Sequence, residues 1–198
     1  MKYIIIGFAL IAAMAGACNS AATVNSEKKD TTANKQEEAS SPKQADTSPS
    51  ADIKVNEAMK EMVTQYLQIK NALANDNGRD AATAGNAFVE SMDKMEKNSL
   101  SDDKKKVWNS LSDDAREMAE HIGKNGDKIE HQREHFDMLS QDMYDMVKAF
   151  GSGQLLYKDY CPMYNKGSIW LSEVKEIKNP YLGKKMPTCG SLKEEIKK

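Results

Sequence analysis

The chain has 198 residues, with 28 Lys and Arg against 30 Asp and Glu and a formal net charge of −2. That length holds one domain, or one domain with a tail, and that charge balance lacks the basic footprint with which a nucleic-acid binder neutralises phosphates. Charged residues at 29% and a mean hydropathy of −0.69 exclude a polytopic membrane protein, and 11 Gly with 5 Pro exclude collagen-like chains.

The first segment reads as an address. Lys2 provides a short positive region, and Tyr3 to Met14 is an apolar run too short for a comfortable transmembrane helix. It ends in Ala15-Gly16-Ala17-Cys18, small residues before a Cys, which resembles a bacterial lipobox. The expectation is a signal peptide over 1–17, cleavage before Cys18 and lipidation of that thiol. The acyl chains would then anchor a chain that does not span the membrane. The location expected is the periplasmic face of the cell envelope, on the outer membrane rather than the inner. Residues 19–52 are polar, with Val24 the one large apolar side chain. Such a stretch cannot bury enough surface to offset its ordering entropy. With Cys18 it reads as a lipidated tether over 18–52, reaching on the order of 30 Å as a random coil.

From Ile53 the pattern changes, and 53–198 reads as the folded domain. Val55, Met59, Met62, Tyr66, Ile69 and Leu73 recur at steps of three and four, which is one face of a helix. Asn75-Asp76-Asn77-Gly78 breaks it with turn residues. Ala81, Gly85, Phe88, Met92 and Met95 repeat the spacing, with small residues early enough to let helices approach closely. Ser101 reads as the cap of a third helix, with Asp102 and Asp103 in its first turn and a stripe of Trp108, Leu111, Ala115, Met118 and Ile122. Asp127 reads as the cap of a fourth, whose stripe runs from Ile129 through Gln132, Phe136, Leu139, Met143 and Met146 to Phe150. The fold class expected is all-α: an up-down four-helix bundle, since matched helices on short loops pack antiparallel. An irregular C-terminal cap follows over about 154–198. Within it, Leu155 to Tyr164, the turn Asn165-Lys166-Gly167 and Ser168 to Ser172 predict a short β-hairpin.

Chemistry is concentrated in few residues, because the chain has 3 Cys and 3 His. Cys161-Pro162-Met163 and Met186-Pro187-Thr188-Cys189 each set a thiol beside a thioether, soft donors that select Cu(I) over Mg or Ca. The same two Cys, left after lipidation of Cys18, are also an even number in an oxidising compartment and fit a disulfide stapling the cap. His131 and His135 stand four apart on one helix face, a possible pair of nitrogen ligands. The stretch between them lacks the Glu that a zinc-protease helix places after its first His. The turn at 123–126 brings His121 near the start of the fourth helix. Most Met fall on the core stripes, where Met fills gaps. Neither a haem-attachment Cys-x-x-Cys-His nor the carboxylate set of a di-iron bundle is present. A phosphate loop and a Gly-x-Ser-x-Gly elbow are also missing. No nucleophile, base and oxyanion site can be assembled, so no enzyme is expected.

Several separated motifs then point one way. Tyr66-Leu67, Ile69 to Leu73, Asn75-Asp76, His121-Ile122, Gln132-Arg133, His135-Phe136 and Leu139-Ser140 occur in that order. Tyr157, Tyr160 to Met163, Trp170 to Ser172, Asn179 to Tyr181, Gly183, Met186 and Cys189-Gly190 follow. Over about residues 55–192 the chain resembles a domain of unknown function found in bacterial envelope lipoproteins. That domain also occurs attached to periplasmic adaptors of Cus-type copper and silver efflux pumps. The resemblance implies heavy-metal handling, with His121, His135, Cys161, Met163, Met186 and Cys189 as ligands. His131 lies outside the motif and is not carried over. Cys161, Met163, Met186 and Cys189 are expected to cluster, with His135 the nearest nitrogen donor and His121 beyond it. The function expected is a monomeric, membrane-anchored lipoprotein that binds a heavy metal, Cu(I) above all, and hands it to a periplasmic efflux adaptor or sequesters it. The alternative is a non-metal envelope interaction module closed by a Cys161–Cys189 disulfide.

Overall fold

The computed structural model describes residues 49–197, with side chains from residue 52 onward. The signal peptide, Cys18 and nearly all of the tether expected from the sequence lie outside the described residues. Four helices come first: α1 (Pro49–Ala74), α2 (Gly78–Asp93), α3 (Asp102–Lys124) and α4 (Ile129–Phe150). Three strands follow: β1 (Leu156–Cys161), β2 (Ser168–Ser172) and β3 (Ser191–Ile196). No helix among the described residues is long and apolar enough to cross a membrane.

α1 takes in residues 49–52, which polar composition alone assigns to the tether. Proline is favoured at the first helical position because its missing N–H has no intrahelical partner there. Asp52 adds a negative charge in the first turn. The helix ends where Asp76 turns left-handed at φ 55°, and Asn77 then caps α2 by accepting the Asp80 N–H at 3.1 Å. Ser101 caps α3 as its sequence position predicts, accepting from Lys104 N. Asp127 does not cap α4. Lys128 occupies the cap position and makes no side-chain cap bond.

Each helix packs on the next, α1 on α2, α2 on α3 and α3 on α4, and α1 also touches α4. Gly85 explains the close approach of α2 and α3: a Cβ there would stand 2.9 Å from the Ala119 carbonyl and 3.0 Å from the Gly123 nitrogen. Gln132 is buried at one end of the helices and donates to both Gly78 O and Ile122 O at 2.9 Å, tying α2, α3 and α4 together. The stripes expected on α1 and α2 are all buried. On α3 the buried line is Trp108, Ser112, Ala115, Ala119 and Ile122, whereas Leu111 and Met118 stand at its edge. Apolar side chains fully buried this way each stabilise the fold by roughly 1.5–3 kcal/mol.

The C-terminal segment is an antiparallel sheet of order β2-β1-β3. The predicted hairpin forms, with Tyr157 opposite Ser172 and Cys161 opposite Ser168. β3 is an element that the sequence pattern does not announce. It is rich in Lys and Glu and pairs on the outer edge of β1, with a bulge between Lys158 and Asp159. β2 lies against α4 and α1. There the Tyr66 hydroxyl accepts the Leu171 N–H at 3.0 Å and shares a hydrogen bond with Ser140 Oγ at 2.8 Å. Further along, the buried Arg133 donates to Pro180 O at 2.9 Å, Leu73 O at 3.0 Å and Asp76 Oδ1 at 2.5 Å. The segment after Phe150 therefore runs back beside α1 and α4 toward the end of α1 and the start of α4.

Candidate metal centre and a separate thiol pair

Three imidazoles converge where α3 ends and α4 begins. His121 is in the last turn of α3, and His131 and His135 lie one turn apart on α4. One ring nitrogen from each lies within 4.8 Å of the others. The rings of His121 and His135 stack at 4.3 Å between centroids, and His131 meets His135 edge-on at 4.4 Å. All three are half-buried.

The neighbours of these rings decide which nitrogens are free. His135 Nδ1 is 3.2 Å from the Met118 thioether, a weak acceptor with no proton to give, so Nδ1 is the donor. His131 Nδ1 faces Glu134 Oε2 at 3.5 Å, which likewise favours a proton on that nitrogen. With those tautomers both Nε2 atoms offer lone pairs, and the two atoms face each other at 3.1 Å. Two lone pairs at that distance repel unless a cation lies between them. Two nitrogens bound to one metal at about 2.0–2.1 Å stand roughly 2.9–3.4 Å apart across square-planar to tetrahedral angles. The observed spacing falls inside that range. Burial, and then the positive charge that His121 and His131 can carry, hold His135 below the usual histidine range, which favours the neutral, ligating form. Glu117 Oε1 at 3.9 Å from His121 Nε2 and Glu134 beside His131 surround the group with negative charge. Carboxylates behind ligating imidazoles orient the rings and raise their basicity.

The thiols are elsewhere. Cys161 Sγ is 3.7 Å from Cys189 Sγ, both as free thiols, with Cys161 fully buried and Cys189 half-buried. Burial and the hydrogen bond with Cys161 raise the Cys189 thiol above its ordinary range. Met163 and Met186 are exposed, at 66% and 43%. Among the described residues, the one group of three or more His, Cys, Asp or Glu side chains placed to hold a metal is the histidine group, and it contains no Cys. The six expected ligands thus divide. His121 and His135 meet each other, Cys161 and Cys189 meet each other, and the two pairs do not form one site. The physical reason is the geometry of α4. Phe136, Asp137 and Ser140 face α1 and the sheet, whereas His131 and His135 face α3.

His131 is the residue that the resemblance set aside and the fold restores. Its signal was the four-residue spacing to His135. Met118 reads as core from its spacing, yet its place at the edge of the buried line is what puts its sulfur against His135.

The sequence profile of the family described as "Protein of unknown function (DUF3347)" matches residues 62–154. A domain of unknown function is therefore found from the middle of α1 to just before β1, and it contains all three histidines but neither Cys161 nor Cys189. No match is found among curated proteins or among solved structures.

Proposed function

We propose that this protein is a heavy-metal-binding lipoprotein of the cell envelope that holds copper at His121, His131 and His135. The observation that carries the reading is the approach of the His131 and His135 Nε2 atoms to 3.1 Å with His121 beside them. Three imidazoles suit copper, zinc and nickel, and among the divalent ions Cu(II) stands highest in affinity for such donors. The half-burial of all three rings fits a site that exchanges its metal rather than one that locks it away. In this reading Cys18 carries the lipid anchor and residues 19–48 the tether. The four helices form an antiparallel up-down bundle, and the domain, a monomer on the periplasmic face of the outer membrane, passes copper, as Cu(I), to a periplasmic efflux adaptor or sequesters it. The role is binding and delivery, with no reaction catalysed.

The test is metal titration of the full chain against chromogenic chelators, with Cu(I) under reductant and with Cu(II) and Zn(II) separately. Wild type should bind one ion that His131→Ala and His135→Ala each weaken by more than about tenfold, the least that disturbing the surroundings of a metal site costs. Equal affinity in wild type and both variants ends the proposal. The second reading is then preferred: an interaction module whose sheet is closed by a Cys161–Cys189 disulfide, supported by their 3.7 Å approach.

A further inference from the structure

We propose that reduced Cys161 and Cys189 form a second binding site, independent of the histidines, for a soft cation content with two ligands: Cu(I), Ag(I) or Hg(II). The inference does not rest on the histidine reading, because the histidines lie on α3 and α4, the thiols on β1 and the loop before β3, and the two groups share no residue.

Both cysteines are fixed from the backbone. Cys161 is the last residue of the central strand, paired with Ser168 on one side. Cys189 is clamped by Asn179, which is fully buried. The Asn179 side chain donates to Cys189 O at 2.6 Å, and its backbone N–H donates to Pro187 O at 2.8 Å. Its Oδ1 accepts from Tyr181 N and Leu182 N, so the amide has no freedom to turn. Gly190, at φ +148°, completes the arrangement: a Cβ there would stand 2.8 Å from the Trp170 ring. A larger residue would push the chain, and Cys189 with it, away from β1.

The donors select the ion, and the spacing lies within a small opening of what it needs. Two sulfurs bound to one metal at about 2.3 Å stand about 3.8 Å apart at a tetrahedral angle and about 4.6 Å apart when linear. The observed 3.7 Å lies near the lower value, so capture asks for an opening of less than about 1 Å. Among the described residues, no imidazole or carboxylate joins the two thiols in a group of three. Zinc, which takes four ligands in a structural site, lacks its set here. Soft ions accept thiolate donors without hard partners. The route in passes Cys189, the half-buried member. Met163 lies two residues from Cys161 and Met186 three from Cys189, and both offer thioethers to solvent. Exposed thioethers on either flank provide weak soft donors for an arriving ion.

The site is also closed by oxidation. If a two-electron acceptor removes two protons and two electrons from the pair, one S–S bond forms and no thiolate remains to bind metal.

The experiment uses the full chain with Cys18→Ser, so that the two thiols are the only ones present, and Ag(I), which does not itself cycle redox states. Calorimetric titration, with thiolate-to-metal absorption recorded in parallel, should show one thiolate-bound Ag(I) per reduced chain. The His131→Ala/His135→Ala variant should retain that affinity within about threefold. Cys189→Ser should lose more than about a hundredfold, beyond what a supporting group costs. Diamide, which takes up the two electrons and two protons, should abolish binding, and a phosphine reductant should restore it. Ag(I) binding that survives Cys189→Ser or diamide overturns the proposal, as does the absence of binding by the reduced chain. If Cys189→Ser fails to fold by circular dichroism, the diamide arm on the unsubstituted pair decides. Cu(II) titration of Cys189→Ser reads the histidine site separately, so failure at one site is distinguishable from failure at the other.

Discussion

Asp159 is a carboxylate in the wrong place by ordinary rules, and replacing it with Asn has a calculable consequence. Its side chain is fully buried on β1, opposite Trp170, and neither carboxylate oxygen has a hydrogen-bond partner. The Trp170 indole N–H is also without one. Burial pushes the carboxyl up to about 7, against a smaller downward pull from the Lys70 charge. Lys70 itself is committed to Glu173 at 2.7 Å. In the unfolded chain the same group titrates near 3.9. The folded state therefore holds the proton more tightly than the unfolded one. Stability from this group is complete below about pH 4 and is lost as pH rises through about 7. At 1.36 kcal/mol per unit, the full loss is about 4 kcal/mol, of which about 2–3 kcal/mol falls between pH 5 and pH 8. Asp159→Asn keeps the shape and removes the charge. The stability of the variant relative to wild type should rise by about 2–3 kcal/mol from pH 5 to pH 8, which is roughly 5–10 °C in melting temperature. The assay is urea denaturation of both proteins at half-unit steps across that range, taking the difference at each pH so that other titrating groups cancel. A difference constant to within about 0.5 kcal/mol would refute the assignment of Asp159 as a group that folds protonated.

Three further outcomes are expected. His121→Ala removes a positive neighbour of His135, so the His135 imidazole should titrate at higher pH than in wild type when followed by NMR of the ring protons; an unchanged or lower value would break the electrostatic account. Arg133→Met strips the donor shared by Pro180 O, Leu73 O and Asp76, and should cost about 2–4 kcal/mol by denaturation. Faster amide exchange across 179–183 should accompany that loss. Cys18→Ala should abolish labelling by fatty-acid analogues and release soluble protein, and retention of lipid in that variant would end the lipoprotein reading.

The helices were legible because their evidence is local. A stripe such as Val55, Met59, Met62, Tyr66, Ile69 and Leu73 declares both the helix and its buried face, and Asn75 to Gly78 declares its end. The hairpin was legible for the same reason, since its turn sits between the two strands it joins. β3 was not. Ser191 to Ile196 has no turn linking it to β1 and a composition of Lys and Glu that suits a helix equally well, so only the free edge of β1 makes it a strand. The start of α1 was misplaced by four residues because Pro49 to Asp52 lacks the apolar periodicity from which the helix was read.

The candidate sites divide along the same line. Sequence by itself determined which donors the chain owns and that His131 and His135 share a helix face, because a four-residue spacing on a helix is a fixed geometry. It also put Cys161 within the first arm of a hairpin. Only the tertiary structure decided the partners. The packing of α3 on α4 turned His131 from an outlier into a member of a three-imidazole group centred on His135, and set Met118 at the edge of the core line against His135. The return of the chain through Asn179 set Cys189 against Cys161 across an interval of 28 residues. Those distances depend on which faces of α4 are covered by α3 and by the sheet. That choice is made by the packing of the whole domain, a long-range energy that no window of residues contains.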